Sequence, residues 1–134
     1  MIKRLAHACI HSQDLTETEA FYCQALGMER HFAFEKDGDL FGFYLKVGDQ
    51  TYIEVFKGEP GAVGNINHLA LEVEDMDAAI ARLKDHGIDV TEKKLGADQS
   101  WQAWLTDPSG VRIELHQYTA ESSQYNRRTV KVDW

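Results

Sequence analysis

Apolar residues along this chain follow a strand period, then a helix period, then a strand period again, and the whole cycle occurs twice. Residues 2–12 read as a strand. Asp14 then stands where a helix N-cap belongs, with Glu17 three positions on completing a capping-box-like pattern. Leu15, Thr18, Tyr22, Ala25 and Leu26 form a helical stripe that stops at Gly27. Three strands are predicted over 28–36, 39–47 and 50–57, with Asp37-Gly38 and Gly48-Asp49 as the turns between them. The second cycle opens with a strand over 65–74. Met76, Ala79, Ile80 and Leu83 fall at i, i+3, i+4 and i+7 and predict an amphipathic helix ending at Gly87. Strands near 88–95, 101–107 and 111–118 complete it, and Asp107-Pro108-Ser109-Gly110 suits a type I turn between the last two. Each half is therefore β-α-β-β-β. Beyond Tyr118 no period survives, and residues 119–134 read as a polar, partly basic tail over a site or another subunit.

Chemistry-bearing residues repeat with the pattern. Glu54 follows His7 by 47 residues and Glu114 follows His68 by 46, while the two histidines are 61 apart and the two glutamates 60. Asp14 and Asp75 each lie seven positions after their histidine, and Gly27 and Gly87 lie 20 and 19 after. Two copies of about 60 residues are too few for a solenoid, which points to a pseudo-symmetric domain. Two imidazoles and two carboxylates, each related to its twin by one repeat, suggest four metal ligands, His7, Glu54, His68 and Glu114, around a shared centre.

Side chains alternate across a strand, so neighbours two positions away share a face. Tyr52 and Phe56 lie with Glu54, and Ile53 and Val55 lie opposite. Both faces are apolar apart from the glutamate, and a lone carboxylate there costs several kcal/mol unless paired or bound to a cation. Leu5, Cys9 and His11 share the His7 face, and Ala70 shares that of His68. Glu114 lies with Arg112 and His116, a pattern a solvated strand face would also show. His11, Tyr52, Phe56, Gln102 and Trp104 are the candidate pocket residues. His31, His86 and His116 have no counterpart in the repeat. His86 falls at the end of the second helix, where a cation suits the dipole.

Composition narrows the class. A chain of 134 residues fits one domain, with a domain over 1–118 (modules near 1–58 and 64–118) and the tail over 119–134. A net charge of −8 argues against nucleic acid or an anionic membrane surface as partner. No apolar run approaches the roughly 18 residues of a membrane helix, and no secretory signal opens the chain. Cys9 and Cys23 lack C-x-x-C spacing and form no disulfide framework, which favours a reducing, cytoplasmic setting.

The segments LAHACIHSQDLTETEAFYCQALGM, YIEVF, INHLALEVEDMDAAIARLKDHGI and DPSGVRIELHQY together resemble the vicinal-oxygen-chelate superfamily, which holds glyoxalase I, bleomycin-resistance proteins and extradiol dioxygenases. The resemblance runs nearly to Tyr118. It implies an α+β fold in which two paired β-α-β-β-β modules form a cupped eight-stranded mixed sheet with helices outside. It also implies a His/Glu/His/Glu ligand set at His7, Glu54, His68 and Glu114, as in the glyoxalase I-like branch, and a homodimer. Two positions depart from the glutathione-using members. His11 stands where they carry an Arg, and Lys57-Gly58-Glu59 replaces an expected Asn. The departures argue against glutathione as co-substrate.

Mixed nitrogen and oxygen ligation suits Zn, Ni, Co, Mn or Fe(II) rather than Ca or Mg. Such a cation polarises a carbonyl and stabilises an enediolate, and Glu54 or Glu114 is placed to move the proton between adjacent carbons. The expected activity is that of a lyase or isomerase on a small α-hydroxycarbonyl substrate. The sequence expects Glu54 to be the drier and more mobile carboxylate and Glu114 the anchored one. An Fe(II) extradiol dioxygenase is the alternative within enzymes, though its two-His, one-carboxylate face has no use for Glu54. A non-catalytic drug-binding protein is the alternative outside them.

Overall fold

The structure is a computed structural model, and it describes residues 5, 7–59, 61, 68–127 and 130. The start of the first expected strand, the first positions of the one expected over 65–74, and residues 128–129 and 131–134 of the tail lie outside the described residues. The fold is α+β. The chain divides into two compact units, one of Met1–Gly64 with Asp107–Val111 and one of Asn65–Thr106 with Arg112–Trp134.

In the first unit, β1 (His7–Ser12), β2 (Glu29–Lys36), β3 (Asp39–Gly48) and β4 (Thr51–Lys57) form a mixed sheet in the order β1-β4-β3-β2. β1 runs parallel to β4 and the other pairs are antiparallel. The helix between β1 and β2 opens as α1 (Leu15–Glu19), with the Asp14 carboxylate accepting the Glu17 backbone N–H at 2.9 Å. The expected helix over 15–26 is not α-helical throughout, because Ala20–Ala25 widens into a π-helical turn. It stops at Gly27, whose φ of 74° a side chain would strain. Phe43, Leu45, Ile53 and Val55 are buried on the core face of the sheet together with Tyr22 of the helix. Each such side chain contributes about 1.5–3 kcal/mol of burial free energy. Tyr52, Glu54 and Phe56 are thereby turned to the other face.

The second unit repeats the plan. β5 (Leu69–Glu72), β6 (Lys94–Leu95), β7 (Trp101–Thr106) and β8 (Arg112–Gln117) form a sheet in the order β5-β8-β7-β6, again with one parallel pair, β5 with β8. α2 (Met76–Asp85) is capped by the Asp75 carboxylate, which accepts the Ala78 backbone N–H at 3.0 Å, and Gly87 follows at φ 71°. The His86 ring Nδ1 sits 2.9 Å from the Arg82 carbonyl, at the helix terminus where the sequence placed a structural histidine. The strand expected over 88–95 shrinks to Lys94–Leu95 plus one bridge from Val90 to Leu105. Ala103, Leu105, Ile113 and Leu115 form the core face, with Met76 and Leu83 of α2. The eight strands are thus hydrogen-bonded as two mixed sheets of four. A short α3 (Ser123–Asn126) follows β8 within this unit. Among the described residues no helix is long and apolar enough to cross a membrane.

Candidate metal and substrate site

In the first unit, the parallel β1–β4 register brings Glu54 beside Cys9, and the antiparallel β3–β4 register brings it beside Tyr44. His7 Nε2 lies 3.7 Å from Glu54 Oε2. Its other ring nitrogen, Nδ1, is 3.2 Å from the Tyr44 hydroxyl. Tyr44 also stands opposite Glu54 in the β3–β4 ladder. Burial first, then the charge and hydrogen bond of Glu54, raise the Tyr44 hydroxyl above its ordinary range and keep it a donor. Cys9 is pushed up to about 11 by burial and then by the hydrogen bond and charge of Glu54, so it is a thiol at neutral pH.

Aromatic rings surround this pair. Tyr44 stacks on Phe32 with centroids 4.5 Å apart and tilts against Tyr52 at 5.5 Å. Phe34 meets Phe56 at 4.8 Å, and the register shift in β2 turns His31 out to stack on Tyr52 at 5.2 Å. Gly42 allows a close approach of β3 to β4, since a Cβ there would run into the Val55 carbonyl oxygen and fall 2.6 Å from the Phe56 ring. His11 is exposed on β1, opposite Phe56 in register.

The second unit holds the matching pair in the same sense, with His68 Nε2 3.4 Å from Glu114 Oε2. Trp104 faces Glu114 across the β7–β8 ladder and meets the His68 ring edge-on at 4.9 Å. Gln102 is opposite His116 in the same ladder. Arg112 lies over the Trp104 ring at 4.2 Å. Contrary to the expectation that Glu54 is the drier carboxylate, the Glu114 side chain is 9% exposed and that of Glu54 is 16%. The solvated-face pattern read for Glu114 does not hold either, because Glu114 and His116 are both buried. Sequence reading left His116 without a role. In the structure its Nδ1 is 3.3 Å from Glu114 Oε1 and its Nε2 is 3.6 Å from Asp98 Oδ2. Asp98 had no repeat signal to reveal it. A cavity of about 370 Å³ in this unit is walled by Asp89, Thr91, Trp104 and Arg112 among others, and none of the four expected ligands lines it.

Do the residues fit a metal? Among the described residues no group of three or more His, Cys, Asp or Glu side chains is gathered as for a metal ion. The donor chemistry of each pair nevertheless suits one. Separations of 3.7 and 3.4 Å exceed a good hydrogen bond. Two donors about 2.1 Å from a common cation stand roughly 3.0–3.4 Å apart; the His68–Glu114 pair is at that spacing and the His7–Glu54 pair, at 3.7 Å, is wider.

The chain was also compared with known proteins. The family model of the Glyoxalase/Bleomycin resistance protein/Dioxygenase superfamily matches residues 4–115. The chain is 29% identical over 126 residues to the Uncharacterized protein YaeR of Escherichia coli (strain K12), covering 87% of this chain and 97% of that one. It is 37% identical over 86 residues to the Cadmium-induced protein CadI of Mycobacterium tuberculosis (strain ATCC 25618 / H37Rv), covering 59% of this chain and 56% of that protein. The crystal structure of a glyoxalase family protein from Enterococcus faecalis superposes with a TM-score of 0.71 at 26% identity, covering 85% of this chain and 97% of its own.

Proposed function

We propose that this chain, which belongs to the Glyoxalase/Bleomycin resistance protein/Dioxygenase superfamily, is a divalent-metal-dependent lyase or isomerase acting on a small α-hydroxycarbonyl compound. His7, Glu54, His68 and Glu114 are the ligands of one Zn, Ni, Co, Mn or Fe ion, and the active protein is a homodimer. The observation that carries the reading is the twofold recurrence of one contact, imidazole Nε2 facing carboxylate Oε2 at 3.7 and 3.4 Å.

The cation, when bound, supplies Lewis-acid stabilisation of negative charge on the substrate oxygens. The chain's own residues do the rest. Glu54 takes the proton from the carbon next to the carbonyl and returns it to the neighbouring carbon. Its partners in the fold are a phenol and a thiol, the latter a weak donor, so it is the freer of the two carboxylates. Glu114, held by His116, keeps its orientation. Tyr44 fixes the His7 ring, and Tyr52, Phe56, Gln102 and Trp104 are walls that orient substrate and exclude water.

A second reading, capture of a flat small molecule without turnover, is favoured by the aromatic rings around the His7–Glu54 pair. Incubating the metal-loaded protein with hydroxycarbonyls in D₂O separates the two. Deuterium entering the carbon next to the carbonyl supports the enzyme. Saturable binding of aromatic compounds without exchange of any hydroxycarbonyl would replace it with the second reading. Cd²⁺ belongs among the cations tried, given the cadmium-induced relative and the Cys9 thiol beside Glu54.

A further inference from the structure

We propose that the segment Thr119–Asn126 is a strut that fixes the Glu114 carboxylate through Asp98 and His116, making His116 and Asp98 positioning residues of the proposed metal site. The inference rests on the reading of Glu114 as a ligand and adds what holds it.

The connection can be followed atom by atom within the second unit. Gln124 Nε2 donates to Asp98 Oδ2 at 2.7 Å. The Ser100 and Ser122 hydroxyls, both fully buried, meet at 2.8 Å, and the Ser123 backbone N–H donates to the Asp98 carbonyl at 2.9 Å. Thr119 Oγ1 donates to the Gln99 carbonyl at 2.7 Å. These bonds pin the 98–100 turn, and the Ser100 backbone N–H donates to the other oxygen of Asp98, Oδ1, at 3.2 Å. Asp98 therefore presents Oδ2 to His116 Nε2, a buried ring nitrogen with no hydrogen-bond partner among the described residues. The opposite ring nitrogen contacts Glu114 Oε1, leaving Oε2 toward His68. The imidazole stands between two carboxylates, and a ring nitrogen that carries a proton donates to the oxygen it faces. Tyr118 closes over it edge-on at 4.9 Å and is itself met by Tyr125 at 5.2 Å. Burial alone would lift the Asp98 carboxyl, but the hydrogen bonds from Gln124 and Ser100, with the His116 ring, outweigh it and hold the group below its usual range. Asp98 is thus an anion at neutral pH.

A generic packing role for His116 is argued against by the molecule itself. The residue two positions after Glu54 is Phe56, and the first unit builds the same sheet with a phenyl ring there. An imidazole is therefore not needed to form this strand. What differs is that, among the described residues, only the second pair has its carboxylate backed by another acidic side chain through a ring.

The test uses the full chain and its His116→Phe, His116→Gln and Gln124→Ala variants, with Co²⁺ as the probe read by competition titration and visible absorption. His116→Phe should weaken Co²⁺ binding by roughly 10–100-fold, the usual effect of losing an outer-sphere partner, and alter the Co²⁺ spectrum. His116→Gln, whose amide still donates, should recover part of the affinity. Gln124→Ala should weaken binding less, with the metal-free Tm nearly unchanged. Wild-type affinity and spectrum in both His116→Phe and Gln124→Ala overturn the strut. If His116→Phe fails to fold, Gln124→Ala, at an exposed position, decides alone. If the wild type binds no Co²⁺, the metal reading falls, and the strut is judged in metal-free protein by histidine ¹⁵N NMR. Glu114→Gln and Gln124→Ala should then each shift the His116 ring signals, and unmoved signals overturn it.

Discussion

Glu54 and Glu114 occupy equivalent positions and have unlike surroundings, and the difference sets their expected roles. The Glu114 side chain is 9% exposed and contacts the His116 ring, whereas Glu54, 16% exposed, is served by Tyr44 and Cys9. A carboxylate that must swing to carry a proton needs partners it can leave, which favours Glu54. Dryness, the reason the sequence offered for the same assignment, points the other way. Glu54→Gln is expected to keep most of its metal and lose solvent-deuterium exchange, and Glu114→Gln to lose metal first. Exchange at the wild-type rate in Glu54→Gln would reassign the base. His11 yields a second expectation. A single exposed imidazole cannot offer the bidentate fork with which Arg grips a carboxylate. Activity with methylglyoxal and glutathione should then be low, and a kcat/KM of roughly 10⁴–10⁸ M⁻¹s⁻¹ would refute it. At this scale the four repeated residues were legible because the repeat marks them. Tyr44, Asp98 and His116 were not, since their roles depend on cross-strand register and on a turn, neither of which leaves a period in the sequence.

Among the elements, the helix after β1 and the Asp107–Val111 turn are joined by one buried bond, the Tyr22 hydroxyl donating to Asp107 Oδ2 at 2.9 Å. The other oxygen of Asp107 accepts the backbone N–H groups of Ser109 at 2.8 Å and Val111 at 2.7 Å. Burial raises the Asp107 carboxyl despite these hydrogen bonds, and burial, then the Asp107 charge and hydrogen bond, raise the Tyr22 hydroxyl far above its ordinary value. For a phenol raised in the folded state, the stability it contributes is fully present below the unfolded pKa of about 10. It is lost as pH rises beyond that, because only the unfolded chain releases the proton. Tyr22→Phe should cost about 1.5–3 kcal/mol at neutral pH by stripping a charged acceptor of its donor. It should also flatten the loss of stability above pH 10. Denaturant unfolding of both proteins at pH 7 and pH 10.5 checks this, and parallel losses in the two would refute it. The sequence foresaw the turn from Asp107-Pro108-Ser109-Gly110 and both helices from their Asp caps and glycine stops. The π-helical Ala20–Ala25 and the two-residue β6 escaped it. A widened turn keeps the same apolar stripe, and the residues after Gly87 are apolar enough for a strand but mostly lack a ladder partner.

For the whole molecule, the question is how many cations two like pairs hold. Each unit supplies one imidazole and one carboxylate, and a pair of protein donors is a weak site for a transition metal, which in catalytic proteins commonly takes at least three. Two independent weak sites would bind about two ions per chain, and removing one histidine would leave the other site intact. One site that uses all four donors behaves otherwise. It binds one ion per chain, and loss of either histidine empties it. The proposed function takes the second case, with the four repeated residues as ligands of one ion. The expected result is therefore close to one transition-metal ion per chain in the wild type, with His7→Ala and His68→Ala both nearly metal-free. Elemental analysis after exhaustive dialysis, with sedimentation to test for the homodimer, is the measurement. Retention of about half the metal by either variant would mean that the pairs act alone. Wild type and His68→Ala equally free of metal would remove the central claim and leave the aromatic face of the first sheet as the better guide to what this protein binds.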